Sequence, residues 1–128
     1  MKRRILLVGE DPALLETRAL LLSAWETSIR DTRSALAAIQ SETFDVVIVG
    51  QLVTAENARL LISAARKREP VPEILAIRNA NNTDALGVET HRLDPLESPG
   101  WLPEWVKAAL DDRSRRAAAL RVLLRRAE

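Results

Sequence analysis

The 128-residue chain contains no cysteine, which removes disulfide scaffolds, thiolate zinc sites, iron–sulfur clusters and thiol nucleophiles together. It has a single histidine, His91, and neither a G-x-G-x-x-G stretch, a Walker lysine nor a G-x-S-x-G elbow. Nucleotide enzymes and Ser-His-Asp hydrolases are therefore left without a motif. No apolar run approaches the ~20 residues that a membrane-spanning helix needs. The opening Met1-Lys2-Arg3-Arg4 leads into only Ile5-Leu6-Leu7-Val8, too short a stretch for a signal-peptide core. A soluble, cytoplasmic protein is the expectation.

What is present is a composition that folds. With 47% hydrophobic and 29% charged residues, the chain lies far from the polar, highly charged corner where chains stay disordered. Its length suits one domain. The net charge of +1 hides an asymmetry: residues 113–128 carry six arginines against Glu128, or +5, while the other 112 residues carry 13 basic and 17 acidic side chains, or −4. The expected organisation is a body over 1–112 and a basic helical extension over 113–128.

Three runs, Ile5-Leu6-Leu7-Val8, Val46-Val47-Ile48-Val49 and Ile74-Leu75-Ala76-Ile77, are short, continuously apolar and rich in branched residues, as strands buried on both faces of a parallel sheet are. Helical patterns separate them. Pro12 to Trp25 places Leu14, Leu21 and Trp25 on one face; Ala35, Leu36 and Ile39 form a second stripe; and Ala58, Leu61, Ile62 and Ala65 form a third, beginning at Thr54 as N-cap. Weaker, more polar strands are expected near Ser28-Ile29-Arg30 and over Val88 to Leu93, with a loop over Asn79 to Asn82 and a short helix over Thr83 to Leu86. Polar strands belong at sheet edges, where charge is tolerated. The pattern predicts an α/β, doubly wound, five-stranded parallel sheet of order 2-1-3-4-5, a flavodoxin-like three-layer sandwich. In such a sheet the ligand site lies beyond the carboxyl ends of strands one and three, here at Gly9-Glu10-Asp11 and Gly50-Gln51.

Glu10 and Asp11 are adjacent carboxylates in that crevice, and a hard cation such as Mg²⁺ uses oxygen ligands of this kind. Asp11 followed by Pro12 is also an N-cap followed by proline at the first helical position, which requires no metal. Capping is the simpler account. His91, on an expected edge strand, is read as a surface residue.

Over about residues 2 to 110 the chain resembles the receiver domain of bacterial two-component response regulators. The segments that carry the resemblance are Arg4 to Asp11, Phe44 to Gly50, Pro72 to Arg78 and Arg92 to Leu96. The resemblance implies an acidic pair that holds Mg²⁺, an aspartate at the end of strand three that accepts phosphate, a hydroxyl at the end of strand four and a lysine before proline after strand five. Glu10 and Asp11 match the pair. The acceptor position falls on Gly50, the hydroxyl position on Ile77, and the lysine position on Asp94, which precedes Pro95. Acyl-phosphate chemistry needs a carboxylate nucleophile, which glycine lacks. Asp45 is no substitute, since five residues of strand put it about 17 Å away. Arg78, just past strand four, is the expected ion-pair partner for the carboxylates of the vacated pocket. Mg²⁺ is expected to bind weakly if at all, and no other cofactor is implied.

From Pro103 to Ala127 nothing interrupts a helix of roughly 37 Å. Trp105, Val106, Ala109 and Leu110 should pack on the sheet. Past Asp112 the pattern of Arg113, Arg116, Ala117, Leu120 and Leu124 is expected to outrun the body, as a dimerising or partner-docking element, a solvated helix or, least of all, a nucleic-acid contact. No aromatic residue interleaves its arginines. The reading is a phosphorylation-independent response-regulator receiver protein, not an enzyme. It would act in two-component or phosphorelay signalling by binding another protein, with no membrane contact. Two other readings are a small ligand-binding domain or enzyme using the crevice between strands one and three, and a nucleic-acid binder.

Overall fold

A computed structural model of the chain describes residues 3–50, 52–77, 91–93 and 101–127. Five strands, β1 (Arg4–Val8), β2 (Glu26–Arg30), β3 (Val46–Val49), β4 (Glu73–Ile77) and β5 (His91–Leu93), alternate with helices α1 (Pro12–Leu21), α2 (Thr32–Ser41) and α3 (Ala55–Arg66). A last helix, α4 (Trp101–Ala127), follows β5. All strand pairs are parallel, in the order β2-β1-β3-β4-β5. This is the expected doubly wound sheet, with the polar β2 and β5 at its edges.

Strand alternation divides the core into two layers. Leu6 and Val8 of β1, with Val47 and Val49 of β3, pack under Ala35, Ile39, Ala58, Leu61, Ile62 and Ala65 of α2 and α3. Ile5, Leu7, Val46, Ile48 and Leu75 pack on the other face with Leu15, Leu22, Leu102, Val106 and Ala109. The α3 stripe is the expected one, and Thr54 caps its start by accepting from the Asn57 N–H. In α4, Val106 and Ala109 are buried, with Trp105 and Leu110 half-buried against them.

The first helix departs from expectation. It ends at Leu21, so that Trp25 lies beyond it, and it buries Leu15 and Arg18 with Leu22 as its C-cap, while Leu14 and Leu21 are half-buried. The apolar stripe is rotated by one residue because Gly9 leaves open the space that Leu15 enters; a Cβ on Gly9 would stand 2.9 Å from Leu15 Cδ2. The expected loop over 79–82 and short helix over 83–86 lie outside the described residues. Among the described residues no helix is long and apolar enough to cross a membrane.

Candidate functional site

The carboxyl ends of β1 and β3 lie side by side, with the Gly50 N–H donating to the Val8 carbonyl at 2.9 Å. Just past them the chain turns into α1 and α3, which brings Gly9, Glu10, Asp11, Leu14, Leu15, Arg18, Gly50 and Leu52 around one crevice. The free space among them is about 10 Å³, at the lower limit for one water molecule. Among the described residues, the part of the crevice between the ends of β1 and β3 leaves room for no more than about one water, while Glu10 also borders a separate cavity of about 340 Å³ with Thr32 and Leu61.

Both acidic residues of the crevice serve the backbone. Asp11 is the N-cap of α1, its Oδ1 accepting from the N–H groups of Ala13 at 3.1 Å and Leu14 at 3.4 Å, with Pro12 opening the helix. Glu10 turns the other way, its Oε1 accepting from the Thr32 N–H at 3.1 Å and from the Thr32 hydroxyl at the start of α2. Asp31, the N-cap of that helix, accepts from the Ser34 N–H at 2.8 Å and its hydroxyl at 2.7 Å. These bonds hold the Asp31 carboxyl below its ordinary range, the backbone bond contributing most.

Gly50 is glycine because two groups crowd it. A Cβ there would lie 2.9 Å from the Val8 carbonyl oxygen and 3.4 Å from Arg18 Nη1. Arg18 is the residue that sequence reasoning missed. Its side chain crosses from α1 into the crevice and is only 9% exposed. Burial lowers its pKa, and the Asp11 charge opposes that shift; a guanidinium remains charged throughout. In sequence Arg18 stands four residues after Leu14 and three after Leu15, on the apolar side of α1, a position that does not by itself separate a buried cation from an exposed one.

The remaining predicted residues divide. Ile77 ends β4 and is buried in the α1/α4 layer. Arg78, Asp94 and Pro95 lie outside the described residues, so the basic group shown facing Asp11 is Arg18. Leu120 and Leu124 lie on the α4 backbone, with side chains outside the described residues.

Arg113 and Arg116 correct the expectation that the helix leaves the body after Asp112. Arg113 Nη1 donates to the Asp45 carbonyl and to Asp45 Oδ1, both at 3.2 Å, and Arg116 pairs with the buried Glu73. The reason is length. From Trp101 to Arg113 the helix rises about 18 Å, which matches a five-residue strand. Arg113 therefore arrives at the amino edge of the sheet, beside the residue that precedes β3. There Asp45 also accepts from the Arg4 N–H at 2.8 Å and pairs with Arg3.

Receiver-type sites hold Mg²⁺ between an acidic pair and the acceptor carboxylate. Here Glu10 and Asp11 are engaged with helix amides, Gly50 offers no oxygen ligand from a side chain, and a guanidinium stands where the third carboxylate would project. With the guanidinium among them, these residues do not fit the ion. Among the described residues no group of three or more His, Asp or Glu is placed to hold a metal.

No family model matches the chain, and no curated protein matches it by sequence. Solved structures do. A CheY-like response regulator receiver domain protein from Methanospirillum hungatei JF-1 superposes with a TM-score of 0.76 at 23% identity, covering 91% of this chain and 99% of that one. A protein described as an adenylate cyclase from Rhodopirellula baltica gives 0.78 at 23% identity, covering 96% and 98%. A response regulator receiver protein from Sinorhizobium medicae WSM419 gives 0.69 at 18% identity, covering 88% and 97%. At these identities the likeness is one of fold: the chain has the doubly wound fold of response-regulator receiver domains.

Proposed function

We propose that the protein is a phosphorylation-independent receiver-type signalling module that works in the cytoplasm by binding another protein rather than by catalysis. The observation that carries this reading is Gly50, which stands after β3 at the position where the resemblance would require an acceptor carboxylate. A glycine cannot form an acyl phosphate. The crowding of Gly50 by Val8 and Arg18 supports a site committed to packing rather than to chemistry. The small free volume among the described residues at the ends of β1 and β3 weighs against a small-molecule ligand between them.

Incubation of the full chain with acetyl phosphate and millimolar MgCl₂, followed by intact-mass spectrometry, tests the reading. The expected result is an unmodified chain. A hydroxylamine-labile phosphate on any carboxylate would overturn it.

A further inference from the structure

The charge balance of the crevice allows one more step, which rests on the reading that Gly50 has vacated the acceptor position. We infer that the Arg18 guanidinium is the resident cation of the β1–β3 crevice, standing in for a divalent ion and tying α1 to the end of β3 in one fixed arrangement.

Three observations converge. The first is position. Arg18 Nη1 lies 3.4 Å from the point where a Gly50 Cβ would stand, so the cationic group occupies the space into which an acceptor carboxylate would project. The second is fit, because the guanidinium and its neighbours leave only about 10 Å³ among them. The third is charge. A buried arginine is tolerated only in an anionic field, and the Asp11 charge acts on Arg18 from seven residues earlier, two helical turns away on the same side of α1.

The consequence is a difference in kind between this crevice and a metal site. A divalent ion comes and goes with its concentration. A guanidinium neither dissociates from the chain nor gives up its proton at physiological pH. The loops after β1 and β3 are therefore held in one state permanently, and the crevice is indifferent to divalent cations. The small side at position 50 and the long basic side chain at position 18 form a complementary pair, since a carboxylate at 50 would compete with Arg18 for one volume.

Thermal unfolding of the full chain and of Arg18→Met and Arg18→Lys, with and without millimolar MgCl₂ at constant ionic strength, tests this. Methionine keeps the apolar stem and removes the charged end; lysine keeps the charge. Wild type and Arg18→Lys are expected to be indifferent to Mg²⁺. Arg18→Met is expected to melt about 3–6 °C lower than wild type and to regain part of that loss with Mg²⁺. Equal Mg²⁺ responses in wild type and Arg18→Met, or none in a folded Arg18→Met, would overturn the inference. Should Arg18→Met fail to fold, paramagnetic broadening by Mn²⁺ on the wild-type chain decides. Amide signals of Glu10, Asp11 and Gly50 are expected to stay unbroadened at millimolar Mn²⁺, and selective broadening there would refute a resident guanidinium. Mn²⁺ contact in a chain that takes no phosphate would sink this inference alone, whereas phosphorylation of the wild type would sink the reading of Gly50.

Discussion

Replacing Gly50 by alanine places a methyl group 2.9 Å from the Val8 carbonyl oxygen and 3.4 Å from Arg18 Nη1. The arginine can swing aside, but the oxygen cannot, because it belongs to β1 and already accepts the Gly50 N–H at 2.9 Å. One strand end must shift, and overpacking of this sort costs about 1–3 kcal/mol. Gly50→Asp meets the same clash and adds a carboxylate between Asp11, which repels it, and Arg18, which attracts it. With the arginine at hand these charge terms nearly cancel, so Gly50→Asp should lie within about 1 kcal/mol of Gly50→Ala. Its stability should not depend on Mg²⁺, and it should remain unphosphorylated, since Ile77 cannot donate a hydrogen bond to phosphoryl oxygens. Urea unfolding of both variants with and without Mg²⁺, with intact-mass analysis after acetyl phosphate, measures each term. A Gly50→Ala variant as stable as wild type would refute the steric argument. Efficient phosphorylation of Gly50→Asp would refute the charge argument.

Two further outcomes are expected from the helix ends. A chain ending at Arg116 should match the full chain, while one ending at Asp112 loses the Arg113–Asp45 and Arg116–Glu73 pairs and should be less stable by about 1–3 kcal/mol in urea; equal stability of the two would show that these pairs contribute nothing. Asp31 has its folded pKa depressed by the Ser34 bonds, so its contribution is present above the unfolded value near ~4 and is lost as pH falls through the folded value. The difference in urea midpoint between wild type and Asp31→Ala should accordingly be constant above about pH 5 and shrink below about pH 4; a difference that grows on acidification would contradict the assignment.

The division between what the chain's order of residues determined and what folding decided follows distance along the chain. β3 is apolar throughout, β1 and β4 are apolar after their first residues Arg4 and Glu73, and β2 is not, so burial on both faces of the inner strands puts the polar strand at an edge. Asp11 before Pro12 and Thr54 before α3 are local signals, because a cap and the amides it satisfies lie within three residues of each other. The emptiness of position 50 was legible for the same reason, since counting along a four-residue strand needs no tertiary information.

Arg18 and Arg113 were beyond such reasoning. Periodicity showed that α1 has an apolar face, but Leu14 and Leu15 fit that face equally well until Gly9, on another element, admits one of them. An arginine on that stripe is ambiguous in sequence; only the approach of Gly50, 32 residues later in the numbering, turns it into a buried cation. Arg113 likewise reads as the start of a solvated tail, and its partner Asp45 is 68 residues away. Ion pairs across such separations depend on where two elements end in space, which the alternation of apolar residues along each element does not encode.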